Sequence, residues 1–147
     1  MRGAPVVRRN TVRLPAEVAR RVRLGHPWVY REALGTRVVA AEPGATLELV
    51  DDEGEFVGRG LYEGDGNIAV RVFTRRADRA IDGELVAERV RAAVALRRQH
   101  VDSNALEHVR IINAEADGLP GVVVERYRDF LVVQLFSAAL VGSVRCV

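Results

Sequence analysis

Apolar and polar residues alternate with a period of two along several stretches of this chain, the pattern of strands that bury one face. Thr46 to Val50 reads Thr, Leu, Glu, Leu, Val, and Glu55 to Tyr62 begins a second strand after the turn cluster Asp51, Asp52, Glu53, Gly54. That turn chemistry predicts a hairpin. A further strand is expected from Asn67 to Thr74, with Ile68, Val70 and Val72 on one face and Ala69, Arg71 and Phe73 on the other. Upstream, Thr11 to Leu14 reads as a short strand, and Pro15 to Val22 as a turn or a single helical turn closed by Gly25. Short strands with polar turns predict a small β-barrel-like unit ending near Thr74.

The period changes between Asp82 and Val101. Ile81, Leu85, Ala92 and Leu96 fall on one side of a helical wheel and Glu84, Glu88, Arg91 and Arg98 on the other, with Asp82 placed as N-cap and Asp102, Ser103 and Asn104 ending the helix. Such a helix either connects two units or packs against its own domain. Strand signals then return at Val109 to Ala114, Val122 to Tyr127 and Phe130 to Phe136. They are separated by the turns Asp117 to Gly121 and Arg128 to Asp129. Three strands joined this way make a meander. The expected class is mixed α+β.

Composition leaves that picture standing. Hydrophobic residues at 48% and charged residues at 29% describe a folded chain, with no apolar run long enough to span a membrane. Arg2, Arg8 and Arg9 near the start precede no apolar segment suited to secretion, so a cytoplasmic protein is expected. One cysteine, Cys146, and three histidines without ligand spacing lead us to expect no disulfide and no metal.

Charge is more informative. The first 31 residues hold eight arginines against one acid, Glu17, a balance of +7, whereas the whole chain carries +2 and everything after them therefore sums to −5. All 22 basic residues are arginine, which coding bias in a GC-rich genome explains without reference to any site. The clustering is what points to a partner. Arg20, Arg21 and Arg23 precede His26, Pro27, Trp28, Val29, Tyr30, and arginine beside aromatic residues suits RNA phosphates and unpaired bases. Trp28 is the only tryptophan and reads first as a core anchor, with RNA contact the alternative. Gly58, Gly60, Gly64 and Gly66 suggest a cofactor loop, but a strand and not a helix follows them, so a bulge and a hairpin turn are the better reading. No catalytic set stands out among the carboxylates, serines, histidines and the cysteine.

Two stretches carry a resemblance: Gly25, His26, Pro27, Trp28, Val29, Tyr30, and Glu115, Asp117, Gly118, Leu119, Pro120, Gly121 followed by Val122 to Tyr127. Together, from about Val12 to Ala139, they resemble the class I S-adenosylmethionine-dependent methyltransferases that modify carbon 5 of a cytosine in large-subunit 23S ribosomal RNA. Gly58 to Tyr62, with Ile68, Val70, Arg71 and Val72, resembles strands of that family's PUA RNA-binding domain. Ala114 and Ala116 stand where the family often has small, glycine-like residues.

The resemblance implies a PUA-like RNA-binding domain over 1–75, a connecting amphipathic helix over 76–105, and a truncated middle domain over 106–147. It adds Arg59 and Arg71 to the candidate RNA contacts Arg20, Arg21, Arg23, His26, Trp28 and Tyr30. In full-length members a cofactor-binding glycine loop and a catalytic cysteine would follow. Cys146 has no neighbouring proline and does not match that nucleophile. The expectation is a non-catalytic part that binds ribosomal RNA and holds no S-adenosylmethionine itself. One rival is that the chain is itself a methyltransferase, which needs a cofactor site. The other is an interaction-only remnant that self-associates through its open second domain. In this incomplete domain the apolar stretches Val122 to Val124 and Phe130 to Val133 are expected to leave a sheet face partly open.

Overall fold

The computed structural model describes residues 10–37, 39, 41–102 and 104–141, with backbone only at Ala138. The expectations resting on Arg2, Arg8, Arg9, Ser103 and Cys146 lie outside these residues.

The first unit is a five-stranded sheet, β1 (Thr11–Arg13), β2 (Trp28–Tyr30), β3 (Thr46–Val50), β4 (Phe56–Tyr62) and β5 (Ile68–Thr74), in the order β1-β3-β4-β5-β2. β1 runs parallel to β3, and the other pairs are antiparallel. β1 and β2 are therefore the sheet's edges. The expected hairpin is β3–β4, and Val50 pairs with Phe56 across its turn. α1 (Ala16–Arg23) is longer than the single turn expected. Pro15 presets its entry, and Ala19 and Val22 supply a buried stripe that its arginine-rich outer face conceals in a simple apolar pattern. A short α2 (Arg31–Leu34) follows β2 directly. The core of this unit gathers Leu14, Val22, Val29, Leu47, Leu49, Val57 and Val70.

The glycines of β4 are where the sheet demands no side chain. A Cβ on Gly60 would lie 2.3 Å from the carbonyl oxygen of Arg71 and 2.7 Å from Val70 Cγ1. Gly64, in the β4–β5 turn, has a φ of +75° that favours glycine. The bulge-and-turn reading of this glycine pattern matches the structure, with a register shift between Arg59 and Gly60.

The long helix α3 (Gly83–His100) begins where Asp82 accepts a hydrogen bond from the Leu85 N–H at 2.9 Å. Its last turn carries Arg97, Arg98 and His100, favourable for the helix dipole. The buried face keeps the expected Leu85, with Ile81 packed on the same core, and departs from the expected one further along. Leu85 and Ala93 are buried with Val90 packed beside them, while Ala92 and Leu96 face outward. The wheel is rotated because Arg89 is drawn to the inner side, where its guanidinium donates to the Phe73 and Gly118 carbonyl oxygens. Burial lowers the pKa of Arg89.

Three antiparallel strands complete the chain in the order β6-β7-β8: β6 (His108–Asn113), β7 (Val122–Tyr127) and β8 (Phe130–Leu135). They form the expected meander. Its core is shared, because Leu61 and Phe73 of the first sheet cluster with Leu85 and Ala93 of α3 and with Ile112, Leu119 and Leu140. The sheet face is partly open. Val123 is buried and Val122 and Val124 pack on the shared core, whereas Phe130, Leu131 and Val133 of the edge strand β8 remain more than half exposed. The difference follows from position in the sheet: β7 is central and β8 is not.

Candidate nucleic-acid interface

α1 presents its arginines on the face opposite Ala19 and Val22. Arg20 and Arg21 are exposed and share one acid, Glu17, with contacts of 3.0 and 3.2 Å. The Arg20 fork, then that of Arg21, holds the Glu17 carboxyl at a pKa of about 2. Glu17 also raises the pKa of Arg20. Two guanidinium groups against one carboxylate leave a net positive patch. Arg23 turns the other way, to Asp51 at 2.6 Å. This pair lowers the pKa of Asp51, and the backbone N–H groups of Glu55 and Glu53 assist. Arg23 is therefore tied to the β3–β4 turn, with 44% of its side chain still open.

The aromatic residues stand next to this patch. His26, Trp28 and Tyr30 meet edge to face in all three combinations, with ring centroids 5.9–6.2 Å apart. His26 Nδ1 lies 2.9 Å from the Trp28 carbonyl oxygen, which orients the imidazole. A small hollow joins these rings to Val18, Arg21 and Ala33. Arg75 was missed by sequence reasoning and clamps this corner: its guanidinium donates to the carbonyl oxygens of Val22 and His26. Every residue carries a carbonyl, so no side-chain pattern announces such a contact.

Two of the candidate RNA contacts are used internally. Arg71 is only 8% exposed and donates to Glu63 at 2.8 Å and to Glu115 at 3.1 Å. Arg59 lies over the Phe56 ring at 5.4 Å and donates to the carbonyl oxygens of Ala77 and Arg79 and to Glu48. Both guanidinium groups are therefore engaged with partners inside the fold. Trp28 is partly buried; its indole N–H donates to Glu115 at 2.9 Å, joining β2 to the turn before β7.

The stretch from Glu115 to Gly121 builds that turn. Asp117 accepts from Arg97, Gly118 and Gly121 adopt φ values of +70° and +79°, and Leu119 and Pro120 are buried. A Cβ on Gly121 would stand 3.3 Å from Arg71 Nε, so this glycine lets the buried guanidinium approach. The three stretches that carry the family resemblance, around Trp28, Arg71 and Glu115, thus meet in one hydrogen-bonded cluster.

Among the described residues no group of histidine, cysteine and acidic side chains could hold a metal ion. None of the helices described is long and apolar enough to cross a membrane.

Residues 12–75 match the family model of a PUA-like domain, so the chain carries a PUA-like domain at the position of the five-stranded sheet. It is homologous to proteins named ribosomal RNA large subunit methyltransferase I. Identity is 40% over 117 residues with that of Alteromonas mediterranea and 39% over 119 residues with that of Photobacterium profundum, each match taking in 80% of this chain and 30% of the relative. The chain spans less than a third of the length of these relatives. In fold it superposes with a TM-score of 0.78 on a protein from Streptococcus mutans described as a SAM-dependent methyltransferase. The identity is 11%, and the match covers 90% of this chain and 34% of the other. A second structure, of a methyltransferase complexed with SAH, gives the same values.

Proposed function

We propose that this chain holds ribosomal RNA for a methyltransferase that modifies carbon 5 of a cytosine in the large subunit, working in the cytoplasm, and that its described residues serve binding and not methyl transfer. The supporting observation is the pair of exposed arginines, Arg20 and Arg21, set beside Tyr30 and His26 on a PUA-like domain. Phosphates would meet the guanidinium groups of α1, and unpaired bases would meet the rings of His26 and Tyr30. On this reading 1–75 is the RNA-binding domain, α3 with its flanks over 76–105 the connector, and 106–147 part of a middle domain.

S-adenosylmethionine, which the homology implies, is not suited by the glycine group from Gly58 to Gly66 as a cofactor loop. The space beside Gly60 is filled by the Arg71 carbonyl and Val70, and the strand β5 follows where a cofactor loop would lead into a helix. We assign methyl transfer to the parts of the relatives that this chain does not match. Calorimetry with S-adenosylmethionine tests this, and specific binding by this chain would overturn it.

RNA binding is tested by titrating the chain into a labelled large-subunit ribosomal RNA fragment between 50 and 200 mM salt. Affinity is expected to fall steeply with salt, with each α1 arginine replaced by alanine lowering the log–log slope by about 0.7–0.9. Absence of binding, or binding indifferent to salt, would sink the reading. A second reading rests on β8, whose exposed Phe130, Leu131 and Val133 lie on an unpaired edge. In that case the chain self-associates, sedimentation shows a dimer, and Leu131→Lys abolishes it.

A further inference from the structure

β2 is an edge strand, and its pairing with β5 slips between Val29 and Tyr30. A bulge of this kind re-aims the side chain that follows it. Tyr30, 39% exposed, borders two hollows. One is the hollow shared with Arg21, His26 and Trp28. The other, of about 590 Å³, is bounded by Tyr30, Arg31, Glu32, Gly35, Gly66 and Asn67. Its volume lies within the range of about 300–1,000 Å³ common for small-ligand clefts.

The second hollow is chemically unlike the first. Its one arginine is already committed: the Arg31 side chain donates to the carbonyl oxygens of Gly66 and Gly64 and lies over the Tyr62 ring at 5.8 Å. The Arg31 backbone N–H also donates to the Asn67 carbonyl oxygen at 2.8 Å. These bonds tie α2 to the β4–β5 turn and place Glu32 and Asn67 in the lining of one cleft. Both side chains are exposed, and neither has a hydrogen-bond partner among the described residues. With the Arg31 fork turned to backbone carbonyls, the carboxylate of Glu32 is the free charged acceptor in the cleft and suits N–H donors.

We propose that this hollow is a base-reading subsite that takes an unpaired guanine of the RNA held by α1. The inference rests on the RNA-holding reading above. Guanine offers two neighbouring donors, N1–H and N2–H, to the two oxygens of a carboxylate, and its O6 accepts from an amide such as that of Asn67. Uracil sets its single N–H between two carbonyl oxygens that Glu32 repels. Cytosine offers one amino group, and adenine pairs one amino group with a ring acceptor. Tyr30, shared by both hollows, supplies the face on which the base stacks.

The test uses the whole chain and three labelled oligonucleotides at one salt concentration: an all-uridine strand, the same strand with one guanosine, and the same strand with inosine in place of that guanosine. Guanosine is expected to tighten binding about tenfold, the scale of a good bidentate base contact. Inosine, lacking the N2 amino group, should recover only part of that gain. Glu32→Gln should erase most of the guanosine preference, read as the ratio of the affinities for the guanosine and all-uridine strands, while the all-uridine strand binds no more weakly and the melting temperature is unchanged. Arg20→Ala with Arg21→Ala should weaken all three strands alike. If the wild type binds all three strands equally, or if Glu32→Gln keeps the full preference, the subsite is wrong although the RNA-holding reading stands. If no strand binds, the RNA-holding reading falls and the subsite with it.

Discussion

Arg97 of α3 grips Asp117 with two parallel hydrogen bonds, Nη1 to Oδ1 at 2.5 Å and Nη2 to Oδ2 at 2.7 Å, and the Asp117 side chain is 6% exposed. Burial would raise the carboxyl's pKa, but the Arg97 fork and the Asn113 N–H outweigh it and hold it below the usual 3.8. A carboxyl with a lowered folded-state pKa contributes stability above its unfolded value, and that contribution disappears as pH falls through the folded value. Asp117→Asn should therefore destabilise the chain by about 1–3 kcal/mol at pH 7. Its deficit relative to the wild type should shrink when chemical denaturation is repeated below pH 3.8. An equal deficit at both pH values would show that the pair's charge is immaterial.

Trp28 and Glu115 lie 87 residues apart, yet their 2.9 Å hydrogen bond, with the Arg71–Glu115 contact, joins the two sheets. Bonds to charged groups contribute about 1.5–3 kcal/mol when intact. In a double-mutant cycle, Trp28→Phe and Glu115→Ala should show a coupling of about 1–2 kcal/mol by urea denaturation. Additive effects would mean that the Trp28–Glu115 bond contributes nothing to the join.

Ala114 adopts a φ of +46°, a left-handed backbone conformation that costs an L-residue about 1–2 kcal/mol. Ala114→Gly removes the clash but adds disorder to the unfolded chain. We expect a net gain of about 0.5–1 kcal/mol, read as a raised melting temperature.

Gly60→Ala is the opposite case. The new Cβ would stand 2.3 Å from a backbone oxygen, which cannot move without breaking the β4–β5 pairing. A loss of at least about 2–3 kcal/mol is expected in thermal denaturation, the scale of overpacking in a close-packed sheet. A stable variant would mean that β5 shifts freely.

Glu17 competes with phosphate for Arg20 and Arg21. Glu17→Gln releases both guanidinium groups and should tighten RNA binding severalfold at low salt. The gain should fade at high salt, because the added attraction is screened. Filter binding at two ionic strengths measures it, and unchanged affinity would place the RNA elsewhere.

Much of this architecture was legible in the sequence because it depends on short-range periodicity. The strands β3, β4 and β5, the meander, and the cap of α3 by Asp82 follow from alternation, turn residues and local hydrogen bonding, which neighbours along the chain determine. The same holds for the clustering of Arg20, Arg21 and Arg23 near His26, Trp28 and Tyr30, because one helix and the strand after it carry them all.

What those residues do was decided by the tertiary structure. A sequence shows charges but not which opposite charge folds beside each one, so Arg71 and Arg59 read as phosphate contacts until Glu63, Glu115 and Glu48 closed on them. The wheel of α3 turned because Arg89 found the carbonyl oxygens of Phe73 and Gly118, and backbone acceptors are identical at every position. Glu32 and Asn67, 35 residues apart, became neighbours only through the bonds of Arg31 to the β4–β5 turn. Local order is encoded by adjacent side chains, whereas pairing across the fold depends on where the burial of Leu61, Phe73, Leu85 and Leu119 in one core brings the chain together.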